Sequence, residues 1–140
     1  MKILLLPKNN SLSHIAKCLV IKNAFESKGH QVFLACSQMR APFLRALGVE
    51  HHVLPDIQDV DGASLPTFAW FRSPQVINDC IRAELALMKK LKPDRILGVF
   101  RFTGKISAWL AGIPYDSLIC GCMIPECLEV LGLQGEPAWP

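Results

Sequence analysis

The residue best suited to move a proton in this chain is His14, a histidine at the start of a predicted helix. It follows a short apolar run, Ile3–Leu6, and a turn-forming loop that closes with Ser13. A predicted helix start places the positive end of the helix dipole here, which disfavours an imidazolium, so we expect a ring that can accept a proton. The alternative interpretation is a polar residue of the first helical turn that takes no part in any reaction.

The elements around His14 have the pattern of an open parallel sheet. Ile3–Leu6 is uninterrupted and apolar, which is typical of a strand that is covered on both faces. Ser11 and Ser13 are residue types found at helix N-caps, and apolar residues at helical spacing continue as far as Gly29. Ligands of such sheets bind outside the carboxyl ends of the strands, so we expect His14 to face a binding cleft.

The remainder of the chain alternates short apolar runs with longer amphipathic stretches, which predicts right-handed crossovers and a parallel sheet. Further strands are predicted at residues 31–36, 52–54, 95–100 and 115–120, and further helices at 41–47, 74–92 and 104–112. In the last helix we expect Ile106, Trp109 and Leu110 to face inward. The sequence therefore predicts a Rossmann-like three-layer α/β sandwich, with a five-stranded parallel sheet in the order 3-2-1-4-5 and helices on both faces.

Composition places the chain among globular proteins of one domain, since 51% of its 140 residues are hydrophobic and 19% are charged. The formal net charge of +3 is small and the basic residues are scattered, so we expect no nucleic-acid partner. The first apolar run is too short for a signal peptide, and no run approaches the length of a membrane span. We therefore expect a cytoplasmic protein.

The cysteines and the loop aspartates favour structural interpretations over a metal site. The six cysteines show no CxxC spacing, and three of them fall within predicted helices or strands: Cys18, Cys36 and Cys80. Buried thiols are favoured over disulfides, and no histidine follows the three later cysteines to complete a zinc site. The aspartates between residues 56 and 61 lack the spacing of a calcium loop and are typical of a surface loop. We expect no metal and no cofactor.

Six short motifs follow one another along the chain. They are Lys2–Leu6, Ser13-His14, Lys28–Val32, Leu47–Val49, Lys92–Asp94 and Ala111–Pro114. In this order and spacing they resemble the amino-terminal domain of GT-B glycosyltransferases, with the macrolide and UDP-glucuronosyl transferase group as the nearest likeness. The resemblance covers about residues 1–120, and it implies that residues 121–140 form a tail or linker toward a donor-binding domain that this chain lacks.

In that family the amino-terminal domain binds the acceptor, a second Rossmann-like domain binds the nucleotide sugar, and transfer occurs between them. The resemblance implies the acceptor-binding half of an enzyme that moves a sugar from a donor such as a UDP-sugar to a small or lipid-like hydroxyl acceptor. His14 matches the family's general-base position, where a base removes the acceptor proton as the anomeric carbon is attacked. The donor-binding domain would act in cis or in trans, and we expect the isolated chain to be inactive.

The residues that we expect to bind the acceptor flank the same cleft. They are Asn10, Ser13, Trp70, Phe71, Arg101, Phe102 and Thr103. For the aromatic pair, packing as a lid is favoured over presentation of the rings to an apolar ligand or a membrane surface. For the polar residues after the fourth strand, cleft lining and simple solvation both stay open. The uncovered half-cleft is apolar enough to predict a weak homodimer.

Two features depart from the family pattern. Ser13 stands where many relatives have glycine, and residues 95–115 hold no carboxylate, whereas many relatives orient the base with an aspartate in that region. The alternative to a transferase half is a non-catalytic α/β binding module or one subunit of a split transferase. Dinucleotide-binding and P-loop enzymes require glycines in the first β–α turn, and residues 7–15 contain none.

Overall fold

A computed structural model describes residues 1–8, 11–56 and 74–119. Its elements, in chain order, are β1 (Lys2–Pro7), α1 (Leu12–Glu26), β2 (Gln31–Cys36), α2 (Ala41–Ala46), β3 (His52–Val53), α3 (Pro74–Leu91), β4 (Arg95–Val99), α4 (Phe102–Ala111) and β5 (Tyr115–Leu118). The five strands form one sheet in the order β3-β2-β1-β4-β5, and every neighbouring pair is parallel. The predicted Rossmann-like fold and strand order are confirmed.

Side chains of β1 alternate between two cores, one on each face of the sheet. Ile3 and Leu5 pack with residues of α1 and α2, whereas Leu4 and Leu6 pack with residues of α3 and α4. All four leucine and isoleucine side chains are at most 2% exposed. Burial on both faces is the physical reason for the uninterrupted apolar run, because neither set of alternating positions reaches water.

The inward face of α4 differs from the prediction. Ile106, Trp109 and Leu110 point away from the sheet, and Trp109 is 78% exposed. The buried residues of this helix are small or carry hydroxyls: Thr103, Gly104, Ser107 and Ala108. The prediction was wrong because it assumed that the largest apolar residues mark the core, whereas here two hydroxyls face a carboxylate buried on α3.

None of the helices within the described ranges is both long and apolar enough to cross a membrane.

Candidate functional site

His14 lies where the carboxyl ends of β1 and β4 meet the start of α1. Its Nδ1 atom is 3.0 Å from the carbonyl oxygen of Lys8, the residue after β1. Its ring stacks on Phe100, the residue after β4, with 4.9 Å between ring centroids and 17° between planes. The side chain is half-buried. His14 is therefore partly exposed and lies beside the carboxyl ends of β1 and β4.

The partner of Nδ1 determines which ring nitrogen can accept a proton. A carbonyl oxygen can only accept a hydrogen bond, so Nδ1 carries the hydrogen and donates it to Lys8. In the neutral ring the lone pair then lies on Nε2. Nε2 has no hydrogen-bond partner among the described residues. The partner of Nδ1 is thus a main-chain carbonyl, and residues 95–115 contain no carboxylate.

The second partner of His14, Phe100, has an unusual backbone conformation. Its φ angle of 57° lies in the left-handed region, which a bulky side chain rarely adopts. The other non-glycine residue with a positive φ in the described chain is Lys92, which directly follows α3, a common place for such an angle. Phe100 ends no helix. Backbone strain of this kind persists only where the surrounding structure enforces it.

A buried polar cluster lies on the other side of the Phe100 turn, between α3 and α4. We call it the Glu84 cluster; its members are Glu84, Arg101, Thr103 and Ser107. Glu84 is fully buried, and Oε1 accepts hydrogen bonds of 2.6 Å from both Arg101 Nε and Thr103 Oγ1. Its Oε2 atom accepts a 2.5 Å bond from Ser107 Oγ. Because both carboxylate oxygens are bonded, the buried charge is well compensated.

Arg101 connects this cluster to two further segments. Nη2 donates a 2.8 Å bond to the carbonyl oxygen of Pro55, and Nη1 lies 3.8 Å from Asp56 Oδ2. Burial by itself lowers the pKa of Arg101, but the charges of Glu84 and Asp56 outweigh it and raise the pKa above its usual value. The guanidinium therefore stays charged inside the protein.

Tyr115 bonds to the main chain of the same turn. Its hydroxyl donates a 2.9 Å bond to the carbonyl oxygen of Arg101. The ring crosses Gly98 of β4 so closely that a Cβ atom there would lie 1.8 Å from the hydroxyl oxygen, so only glycine admits this contact. Burial, followed by the charge of Glu84, raises the pKa of Tyr115 to about 12.

The acceptor residues predicted from the sequence differ in exposure, and some of them lie outside the described part of the chain. Arg101 and Thr103 are 5% and 3% exposed, and their side chains are bonded to Glu84. Phe102 is 51% exposed on α4, and the exposed Ser13 shares a 2.8 Å hydrogen bond with Ser11 Oγ. Three predicted residues fall outside the described part of the chain: Asn10, Trp70 and Phe71. Residues 121–140 also lie outside it. Acceptor binding by the seven residues stays a prediction, and so does the linker role of residues 121–140.

Sequence reasoning missed several buried polar residues. Asp56, which was expected in a surface loop, is 3% exposed and lies 3.8 Å from Arg101. Glu84 lies four residues after Cys80 and three before Leu87, on the buried face of α3, and a carboxylate inside an apolar stripe is a signal for a buried cationic partner. Ser37 directly follows β2 and is fully buried, and its Oγ has no hydrogen-bond partner among the described residues. No sequence pattern distinguishes this serine from an exposed turn residue.

The described residues also form an open groove of about 670 Å³ on the β2 and β3 side of the sheet. Lys22, Arg45, His51 and His52 contribute to its lining. The groove does not include His14. Within the described ranges, no three histidine, cysteine or carboxylate side chains gather as metal ligands do.

No protein-family model matches the chain. A PGL/p-HBAD biosynthesis rhamnosyltransferase from Mycobacterium bovis (strain BCG) is 25% identical over 117 residues, which are 84% of this chain and 26% of that protein. An inactive PGL/p-HBAD biosynthesis glycosyltransferase from the same strain is 24% identical over 137 residues, which are 97% of this chain and 37% of that protein. The similar proteins are glycosyltransferases. The chain spans about a quarter to two fifths of the length of these glycosyltransferases.

Solved glycosyltransferases share the fold. The Streptomyces glycosyltransferase SsfS6 superposes with a TM-score of 0.67 at 20% identity, over 95% of this chain and 43% of that one. The same glycosyltransferase complexed with thymidine diphosphate gives a TM-score of 0.66. The parallel sheet and its helices therefore have the Rossmann-like fold found in GT-B glycosyltransferases.

Proposed function

We propose that this chain is the acceptor-binding half of a glycosyltransferase, in which His14 acts as general base. The observation that carries the proposal is the hydrogen bond from Nδ1 of His14 to the Lys8 carbonyl, which leaves the Nε2 lone pair at the carboxyl edge of the sheet. Ligands of open α/β sheets bind at that edge. The similarity to glycosyltransferases indicates the reaction in which such a base would act, the transfer of a sugar to a hydroxyl group.

The proposed reaction moves a sugar from a nucleotide-sugar donor to a hydroxyl. The hydroxyl oxygen attacks the anomeric carbon, the bond from that carbon to the diphosphate breaks, and the hydroxyl proton passes to Nε2 of His14. The Lys8 carbonyl then faces an imidazolium, whose positive charge it stabilises through the same Nδ1 hydrogen bond. The acceptor would be a small or lipid-like molecule. Among its predicted contacts Ser13 and Phe102 are exposed, whereas the side chains of Arg101 and Thr103 are bonded to Glu84.

The donor site is assigned to a second domain, supplied in cis or in trans. The chain covers 42% of SsfS6 in its complex with thymidine diphosphate, so more than half of that protein has no counterpart here. Residues 1–120 would be the amino-terminal domain and 121–140 the link to the donor domain. A cytoplasmic location and a weak homodimer through the open cleft belong to the same proposal.

The proposal is tested by kinetics on a protein that joins this chain to a donor-binding domain. His14→Ala is expected to lower kcat by about 10²- to 10⁴-fold, the usual contribution of general-base assistance. His30→Ala is the matched control, because His30 lies before β2 and contacts Phe25 instead of the cleft. Unchanged turnover in His14→Ala would remove His14 from the mechanism.

The isolated chain provides a second test, by isothermal titration with UDP- and TDP-sugars. We expect no saturable binding, because a diphosphate needs close approach to backbone N–H groups or a cluster of cations, and residues 7–15 contain no glycine. Tight binding would place the donor site in this domain and contradict the two-domain arrangement.

A non-catalytic binding module, or the subunit of a split transferase, is the second candidate. One observation favours it: a relative that matches 97% of this chain is named an inactive glycosyltransferase. The kinetic test separates the non-catalytic module from the transferase half, because a module that only binds an acceptor loses no turnover when His14 is replaced. A split transferase would lose turnover as the first candidate does, and it differs only in having its donor domain in trans.

A further inference from the structure

The connection between β4 and α4 consists of Phe100 and Arg101, and their side chains enter opposite cores. Phe100 packs against the core on the α1 side and stacks on His14. Arg101 enters the interface between α3 and α4 and bonds to Glu84. The two adjacent residues therefore link His14, on one face of the sheet, to the buried Glu84–Arg101 ion pair on the other face.

Arg101 is held from several directions at once. Its side chain donates to Glu84 Oε1 at 2.6 Å and to the Pro55 carbonyl at 2.8 Å, while its own carbonyl accepts the Tyr115 hydroxyl at 2.9 Å. Arg101 is also the N-cap residue of α4, yet its side chain makes no capping hydrogen bond. The start of this helix is therefore positioned by the buried bonds instead of by a cap.

The strained conformation of Phe100 follows from this fixation. β4 fixes the chain before Phe100 and Arg101 fixes it after, so the residue between them takes the left-handed φ of 57° that joins the two. In that conformation the ring lies against His14 at 4.9 Å. Loss of the hydrogen bonds that fix Arg101 would allow Phe100 to relax to a negative φ, which would move its ring away from the imidazole.

We propose that Phe100 is a positioning residue for His14, and that the Glu84 cluster and Tyr115 keep it in place. The Lys8 carbonyl fixes the proton on Nδ1, and the stacked phenyl ring fixes the plane in which Nε2 points. Together they take the orienting role that a carboxylate partner would otherwise have. The inference rests on the proposed function only for its effect on turnover; the geometry of the ring is independent of any reaction.

The test reads the His14 ring directly, by long-range ¹H–¹⁵N NMR of the isolated chain at about pH 8.5, where histidine is ordinarily neutral. The Nδ1–H form gives a nitrogen pattern distinct from the Nε2–H form, and a stacked phenyl ring shifts the His14 ring protons upfield. His14→Gln assigns the signals among the four histidines. We expect the Nδ1–H pattern and upfield-shifted ring protons in the unchanged chain.

Phe100→Leu keeps an apolar side chain but removes the aromatic ring. We expect loss of the upfield shift and a mixture of the two tautomers at His14. Tyr115→Phe removes only the hydroxyl that holds the Arg101 carbonyl, and we expect a smaller change in the same direction. Trp109→Ala, on the exposed face of α4, is the matched control and should leave the His14 signals unchanged.

The unchanged Nδ1–H nitrogen pattern of His14 in folded Phe100→Leu would overturn the positioning role, whatever the ring protons show, because the upfield shift is lost with the phenyl ring itself. Where Phe100→Leu does not fold, unchanged shifts in Tyr115→Phe overturn it. If the His14 shifts change in Phe100→Leu but not in Tyr115→Phe, only the link to the Glu84 cluster is overturned.

In the two-domain protein, Phe100→Leu should lower kcat with little change in KM. If the NMR shifts change but His14→Ala turns over normally, the proposed function fails and the positioning geometry stands.

Discussion

Phe100 has a backbone conformation that its own side chain disfavours. At this position we therefore expect glycine to be more stabilising than alanine, the reverse of the order in a helix interior. Alanine at position 100 would keep the left-handed strain, whereas glycine adopts φ near 57° without it. We expect Phe100→Gly to be more stable than Phe100→Ala by about 1 kcal/mol. Urea denaturation of both variants measures the difference.

The control for this order is Ile106, an exposed residue in the middle of α4. There glycine should be less stable than alanine by roughly 0.5–1 kcal/mol, as in any helix interior. If alanine is the better residue at both positions, Phe100 carries no backbone strain in solution.

His14 could be predicted from the sequence because a histidine just after a buried strand and a serine-rich turn must stand near the carboxyl edge of a parallel sheet. Its tautomer could not. The conformation of the loop after β1 brings the Lys8 carbonyl to Nδ1. The Phe100 ring is placed against the imidazole by a positive φ angle, which a phenylalanine would not be expected to adopt. Both depend on the folded path of the chain and not on residue type.

At the scale of elements, α3 and α4 are joined by a buried ion pair. Glu84→Gln removes the charge that compensates Arg101, and Asp56 at 3.8 Å is then the nearest remaining carboxylate among the described ion pairs. We expect a loss of about 3–5 kcal/mol in the free energy of unfolding, typical of breaking a buried pair from one side. Chemical denaturation measures it.

Asp79→Asn is the matched control on the same helix. Asp79 lies on the exposed side of α3, 3.8 Å from Arg82, and an exposed pair of this kind contributes at most about 1 kcal/mol. A cycle with Glu84→Gln, Arg101→Gln and the double variant isolates the coupling. Strict additivity of the two single effects would show that the pair is not coupled.

The packing of α4 predicts that substitutions at two adjacent positions change the free energy of unfolding by very different amounts. Trp109→Gln should change the free energy of unfolding by less than about 0.5 kcal/mol, because the indole is 78% exposed. Ala108→Leu should destabilise by about 1–3 kcal/mol, because Ala108 is fully buried against the core on the α3 side. Thermal denaturation of the two variants decides which face of α4 is inside.

Strands were more predictable than the faces of helices. β2 spans the predicted residues 31–36, since an apolar run bounded by Gly29 and a polar turn admits few alternatives. The face of α4 escaped prediction because its buried side is chosen by Glu84, which belongs to another helix and is distant in sequence. Periodicity within one segment contains no information about such a partner.

For the molecule as a whole, two buried acids make stability fall at alkaline pH. Burial raises the pKa of Cys18 from 9.0 to about 12, and burial with the Glu84 charge raises that of Tyr115 from 10.0 to about 12. The folded chain holds both protons more tightly than the unfolded chain, so this stability is complete below pH 9 and is lost as pH rises toward 12. Urea midpoints across this range measure it.

Tyr115→Phe separates the two contributions. The variant loses the hydrogen bond to Arg101, so it starts from lower stability, but its remaining pH dependence should come mainly from Cys18 and be shallower above pH 10. A slope as steep as that of the unchanged chain would mean that Tyr115 ionises as easily in the folded state as in the unfolded one.

The mutual dependence of Glu84 and Arg101 restricts how this protein can evolve. Losing either partner leaves a buried charge without its main counter-ion, whereas replacing both by apolar residues can be tolerated. Homologous lineages should therefore differ at positions 84 and 101 together, with intermediates carrying a single change rarely persisting. Where the pair has been exchanged, selection for hydroxyls at Thr103 and Ser107 relaxes as well, so position 84 on α3 and three positions in or directly before α4 are expected to change together.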